Sequence, residues 1–258
     1  MADVAVRPFR PADFLVFEPH KQRDPLFNEP RRLVRANLGA LGKLAAKTIA
    51  RSTGVKLDTK TSLNHPFTFN GYRVDALWFT LFPSKKERER LQQILGQEFA
   101  EDLDPSYFHA LLYGELTLTH FTLGIRISER SWWDTQNLLK SCKESPHVER
   151  LSAAVQPLVG YSMRIHDWQK LYPCEQMTPG MLQTFAQWFK PGEHRFTLFR
   201  QWPAQAPELA AKEWPAQAVA ELEKLVPAWR AMAWSQEHDL VFRKDAGPDA
   251  GRDGASRA

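Results

Sequence analysis

Five side chains could do acid–base chemistry if the fold brought them together. Glu115 and His120 flank the start of a strand-like stretch, and Asp134 stands with Asn137 at the beginning of a helical one. A carboxylate, an imidazole and an amide near one end of a sheet could act as general acid and base, or hold a metal. His166-Asp167, in "RIHDW", resembles the paired residues of an HD hydrolase, although the separate His and Asp on other helices are not recognisable. Plainer roles exist for all of them. An aspartate in a first helical turn favours the helix dipole, and a histidine such as His120 can simply mark a bend. "EHD" at Glu237–Asp239 follows a helix end, where a histidine is favourable without any catalytic purpose.

Cations offer a second kind of chemistry. Arg31, Arg35, Lys43, Lys47 and Arg51 recur at four-residue spacing, with Gly39 in the gap, and no acidic residue stands between Pro30 and Lys56. Like charges at i and i+4 on a helix cost a few tenths of a kcal/mol each. Such a stripe is solvated, faces acids such as Glu98, Glu101 and Asp102 from another segment, or is left free for an anion. Nucleic acid or an acidic protein is the expected partner in the last case, since phosphate contacts need only placed cations. No zinc-finger spacing, RNP-like aromatic motif or helix-turn-helix signature accompanies it. Arg31, Arg35, Lys43 and Lys47 are expected to be exposed, with Val34, Leu38, Leu41 and Ala45 turned to the core.

Composition narrows the class. The 258 residues include nine Trp and sixteen Phe, enough for an aromatic core, and the net charge is +4. Residues 1–60 hold 12 Lys/Arg against 6 Asp/Glu, so the positive surplus is concentrated there. Cys142 and Cys174 are too few for a disulfide scaffold. No apolar run approaches the roughly 20 residues of a membrane span, and "MADVAVRPFR" lacks the apolar centre of a signal peptide. The expectation is a cytoplasmic, bacterial-type protein without a membrane partner. GxGxxG, Walker A and GxSxG are missing, so no nucleotide or other cofactor is expected. A restriction-type nuclease needs a Glu-x-Lys on the strand after its first acid; Asp75 could be that acid, but Glu115-Leu116-Thr117 has no lysine.

The elements that would position these residues read as follows. A helix occupies about residues 29–53, with Pro30 in its first turn and Gly54 as its stop. Gly39 and Gly42 inside it make sense if another element packs close. Asn70-Gly71 predicts a two-residue hairpin between Phe67/Phe69 and the apolar run Val74–Phe82. Ser84 caps a helix that stops at Gly96, and Asp104-Pro105 looks like the cap of a short helix ending at Gly114. Phe121, Leu123, Ile125 and Ile127 alternate with Thr122, Gly124, Arg126 and Ser128, the pattern of a central, half-buried strand. Leu116 and Leu118 have the opposite parity, which predicts a bulge near His120. Helices follow over "ERSWWDTQNLLKSCK" and beyond Pro146, then a strand at Gly160–Trp168, a helix capped by Thr178, a strand in "EHRFTLFRQW" and a helix from Pro215 to Trp234. Interspersed helices and strands predict an α+β fold: an antiparallel sheet with flanking helices, one domain over 1–244 and a disordered tail at 245–258.

Phe9-x3-Asp13-Phe14-x-Val16-Phe17, a helix a dozen residues later, Leu41-Gly42 within it and Thr53-Gly54 at its close resemble the YktB-like family of uncharacterised bacterial proteins. The resemblance covers residues 9–54. It implies an α+β fold on an antiparallel sheet and supplies no catalytic residues. The functional expectation is therefore a non-enzymatic binding or interaction protein that uses the basic helix. The alternative is a hydrolase or nuclease-like enzyme with a site drawn from Glu115, His120, Asp134, His166 and Asp167.

Overall fold

The computed structural model describes residues 5–95 and 106–241. The expected cap at Asp104-Pro105 and the tail from residue 245 lie outside them, as do Glu98, Glu101 and Asp102. Within the described residues the chain forms one α+β domain on a seven-stranded sheet. The strands are β1 (Leu57–Thr61), β2 (Ala76–Pro83), β3 (Leu111–Thr117), β4 (His120–Ile127), β5 (Ser162–Ile165), β6 (Tyr172–Pro173) and β7 (Phe196–Pro203). Their spatial order is β1-β2-β3-β4-β7-β5-β6, and every neighbouring pair is antiparallel. β4 is fourth of seven, as its alternation predicts.

The sheet has one helical face. The helices are α1 (Pro11–Leu15), α2 (Asn28–Thr53), α3 (Lys85–Leu95), α4 (Trp132–Lys143), α5 (His147–Val155), α6 (Pro179–Trp188), α7 (Pro207–Ala210) and α8 (Trp214–Met232). α2 lies across β1 and β2, α8 lies across β3 and β4, and α4, α5 and α6 pack together beside α8. Alternate residues of the strands face this layer: Leu77, Phe79 and Leu81, then Leu112 and Leu116, Phe121 to Ile127, and Phe196 and Leu198. The two helix glycines lie close to the sheet, a Cβ on Gly39 falling 3.3 Å from Thr61 Cγ2. A Cβ on Gly42 would stand 2.9 Å from the Phe79 ring, and one on Gly114, directly opposite Phe79 in the sheet, would stand 2.3 Å from it. Phe79 thus fills a slot that only two glycines leave open. Gly54 ends α2 in the left-handed region, at φ 75°, and Thr178 caps α6 through the Met181 N–H.

Three local expectations are corrected. Asn70-Gly71 does not join two strands; residues 68–70 form a 3₁₀ turn, and β2 pairs with β1 instead. The Asn70 side chain accepts from the Phe67 N–H and donates to the His65 carbonyl, which closes a local turn. Residues 106–114 are not a helix: a 3₁₀ turn covers Ser106–Phe108 and β3 begins at Leu111. The parity change near His120 is a hairpin rather than a bulge. Thr117 and His120 are separated by the two residues Leu118 and Thr119, and Leu116 pairs with Phe121.

Candidate anion-binding groove

The other face of the sheet carries the polar parity, and there the strands build a groove. Its lining is Tyr113, Glu115, His120, Thr122, Arg126, Arg164, Arg195, Thr197, Phe199 and Gln201, around a volume of about 390 Å³. Register explains the arrangement. Arg126 of β4 faces Thr197 of β7, which faces Arg164 of β5. Glu115 of β3 faces Thr122 of β4, which faces Gln201 of β7. Between these two rows lies Gly124, whose Cβ position would fall 2.2 Å from the Leu198 carbonyl oxygen and 3.0 Å from the Tyr113 ring. Gly124 is therefore closely covered by the Tyr113 ring and the β7 backbone, and Tyr113 and Phe199 pair with it on either side.

Each of two arginines rests on an aromatic ring. The Arg126 guanidinium lies 4.1 Å from the Tyr113 ring centroid and that of Arg164 lies 5.0 Å from the Phe199 centroid. A cation over a ring face gains about 0.5–2 kcal/mol, more as water is excluded. The rings help to fix the guanidinium planes, and Tyr113 also has a side-chain hydrogen bond with Arg126. Arg126 Nη2 is 3.4 Å from Glu115 Oε2, longer than the 2.7–2.9 Å of a tight charge-assisted bond. Arg195 is held at the rim by Asp167. Arg126 Nε, Arg164 Nε and Thr197 Oγ1 are buried with no hydrogen-bond partner, and Thr197 is only 3% exposed. A buried donor left unmade costs about 1–3 kcal/mol. The residues that carry these groups line one groove, which holds three guanidinium groups and one carboxylate. An oxyanion with several acceptor oxygens has the chemistry to satisfy them. Burial depresses the His120 pKa below its ordinary value, only partly opposed by Glu115, so the imidazole is neutral at pH 7; its Nδ1 lies 2.8 Å from Thr119 Oγ1.

The predicted acid–base residues are divided by the fold. Glu115 and His120 share the groove. His166 and Asp167 stand at its edge: the His166 N–H donates to the Arg195 carbonyl, and Asp167 pairs with the Arg195 side chain. His166 also has φ 48°, a conformation uncommon for a side chain with a Cβ. Asp134 is elsewhere and fully engaged. Its Oδ2 accepts from the Ala110 N–H and its Oδ1 from the Trp234 N–H, each at 2.7 Å. Burial pushes its pKa up to about 7 against the pull of those two bonds. Asn137 and Ser141, on the same face of α4, take up the Met232, Ala233 and Ala231 carbonyls at the end of α8. Asp134 and Asn137 thus tie α4 to α8 and the start of β3. Among the described residues no group of three or more His, Cys, Asp or Glu is placed to hold a metal.

The basic stripe of α2 is divided too. The expected exposure of Arg31 is corrected: it is 0% exposed, and its guanidinium donates to the Lys21 and Asp24 carbonyls at 2.6 and 2.8 Å and to Asn28 Oδ1. It pins the segment before the helix to the first turn. Arg35 is half-buried and donates to Thr61 Oγ1. Lys43, Lys47 and Arg51 are exposed. Val34, Leu38, Leu41 and Ala45 face the core as expected.

Sequence reading missed Arg126, Arg164, Arg195, Thr197, Tyr113, Phe199, Thr122 and Gln201 as site residues. Arg126 and Thr122 were visible only as the polar parity of β4. No family model matches the chain and no curated protein is similar to it, so the YktB-like resemblance of residues 9–54 rests on their pattern alone. Among the described residues no helix is long and apolar enough to cross a membrane.

Proposed function

We propose that the chain is a binding protein for a small oxyanion, a phosphate or carboxylate group, held in the sheet-face groove. The observation that carries this reading is that three guanidinium groups, of Arg126, Arg164 and Arg195, line one groove with Thr197 and a single carboxylate; Arg126 Nε, Arg164 Nε and Thr197 Oγ1 also lack partners within the protein. Tyr113 and Phe199 are 3% and 8% exposed beneath their arginines, which leaves them little face for stacking nucleic-acid bases. That favours a small anion over a polymer. The exposed Lys43, Lys47 and Arg51 could still add a weak, salt-sensitive attraction for an acidic partner or nucleic acid.

The test is thermal unfolding with added sodium phosphate against sodium chloride of matched ionic strength. A ligand that binds only the folded state raises the melting temperature by mass action. The wild type should show a saturating rise specific to phosphate, and Arg164→Gln should lack it. Equal responses to both salts would defeat the reading.

A second reading draws on Glu115 and His120 facing the same groove. An imidazole and a carboxylate beside a bound phosphate ester could shuttle a proton in its hydrolysis. Release of p-nitrophenol from p-nitrophenyl phosphate, lost in His120→Gln without loss of phosphate binding, would support it. Binding without turnover returns the chain to the first reading.

A further inference from the structure

The groove has two chemically different ends. At one lie Arg126, Thr197 and Arg164, paired across β4, β7 and β5, with Arg195 two residues before Thr197. At the other lie Glu115, Thr122 and Gln201, paired across β3, β4 and β7, with His120 beside them. Arg126 and Thr122 are four residues apart on β4, roughly 13 Å of extended backbone, and the two ends meet where Glu115 Oε2 comes 3.4 Å from Arg126 Nη2. A simple anion would occupy the arginine end and leave the other end idle.

The second end is unsuited to an anion. Glu115 is a carboxylate, which repels one, and its 3.4 Å approach to Arg126 is too slack for neutralising that arginine to be its whole role. Gln201 donates weakly to Thr122 Oγ1, at 3.3 Å, and its carbonyl oxygen remains open. His120 is depressed toward its neutral form by burial. One carboxylate among three neutral hydrogen-bonding groups fits hydroxyls, which both donate and accept, better than a second charge of either sign. The volume of about 390 Å³ lies within the range of small-molecule sites.

We propose that the groove binds a hydroxyl-bearing phosphate monoester, a small sugar or polyol phosphate, with the phosphate on Arg126, Arg164 and Thr197 and the hydroxyls on Glu115, Gln201 and His120. This rests on the oxyanion reading and adds the ligand's other half.

Calorimetric titration of the full chain with glucose 6-phosphate, glycerol 3-phosphate, inorganic phosphate and glucose, at one ionic strength, tests both halves. A phosphorylated sugar or polyol should bind about ten-fold or more tightly than inorganic phosphate, and glucose should not bind measurably. Glu115→Gln and the exposed Gln201→Ala should each pull the ratio of the two affinities toward one. Gln201→Ala guards against a folding defect at Glu115. If no phosphate monoester binds more tightly than inorganic phosphate, the two-ended ligand is wrong and the oxyanion reading stands. If no phosphate species binds at all, both fall. If glucose binds as well as its phosphate, the arginine end has been misassigned.

Discussion

Two regions of this protein carry clustered cations, and they differ in what surrounds the charge. The stripe on α2 is local in sequence. Its first member, Arg31, is buried with both terminal nitrogens bonded to the Lys21 and Asp24 carbonyls and to Asn28, only its Nε lacking a partner, and its last three, Lys43, Lys47 and Arg51, stand in water. The groove gathers Arg126, Arg164 and Arg195 from three separate segments, sets two of them on aromatic rings, and leaves buried donors unbonded. Charge density along a chain is thus a poor guide to which cations the fold gathers in one groove. A cation in water is screened and already hydrated, a buried and bonded one is structural, and one that is partly desolvated with free donors retains binding capacity.

The largest effect expected on stability belongs to the helix. Arg31→Ala strips the Lys21 and Asp24 carbonyls of their donor and opens a large cavity, and should cost about 2–4 kcal/mol in urea unfolding while leaving phosphate affinity unchanged. A loss below about 0.5 kcal/mol would mean that Arg31 is not a structural tie.

In the groove the effects should reverse. Arg164→Gln should weaken phosphate binding about ten-fold or more, since a charge-assisted contact contributes about 1.5–3 kcal/mol. Stability without ligand should hold or rise slightly, because an unpartnered buried donor is removed. Arg126→Gln should weaken binding similarly, but with some loss of stability, because Arg126 also meets Glu115. If either variant binds phosphate as the wild type does, the groove is not the anion site.

Proton linkage gives a smaller effect. The His120 pKa is depressed in the free protein by burial, with Glu115 opposing. A bound anion favours the protonated imidazole and raises that pKa. Affinity for sulfate, which does not titrate in this range, should therefore rise as pH falls through the depressed His120 value, below its ordinary 6.5. His120→Gln should flatten the rise. Glu115 and Arg126 also face the site, so Glu115→Gln serves as the background that separates their contribution. A pH profile identical in wild type and His120→Gln would place His120 outside the site.

The smallest change is expected from the exposed end of the stripe. Gln at Lys43, Lys47 and Arg51 together should move stability by no more than about 0.5 kcal/mol, upward if like-charge repulsion matters. A larger loss, read from the same urea curves, would reveal ion pairs that these cations make with the rest of the chain.

The fold was legible where periodicity is unambiguous. Phe121 to Ile127 alternate cleanly because β4 has one apolar face and one polar face, and the Gly54 stop and the Thr178 cap follow from backbone chemistry. β3 was misread because Leu111, Leu112 and Tyr113 are all buried; a strand covered on both faces loses its alternation and looks helical. Asn70-Gly71 misled because the turn is real but its flanks are not strands. Phe67 and Phe69 are 44% and 89% exposed, so no core pairs them. A small part of the candidate site was visible: of its ten lining residues, Glu115 and His120 were singled out for their chemistry. The arginines were not, because β7 enters the sheet between β4 and β5. Arg126 and Arg164 become neighbours of Thr197 only through that insertion, which no local pattern announces.

The most direct test of the groove as the anion site is an NMR titration that follows arginine side-chain Nε–H resonances as phosphate is added at constant ionic strength. The Nε groups of Arg126 and Arg164 should shift together along one saturating curve, while those of Arg31, Arg32 and Arg51 on α2 stay still. Saturable shifts on the α2 arginines with Arg126 and Arg164 unmoved would contradict the account.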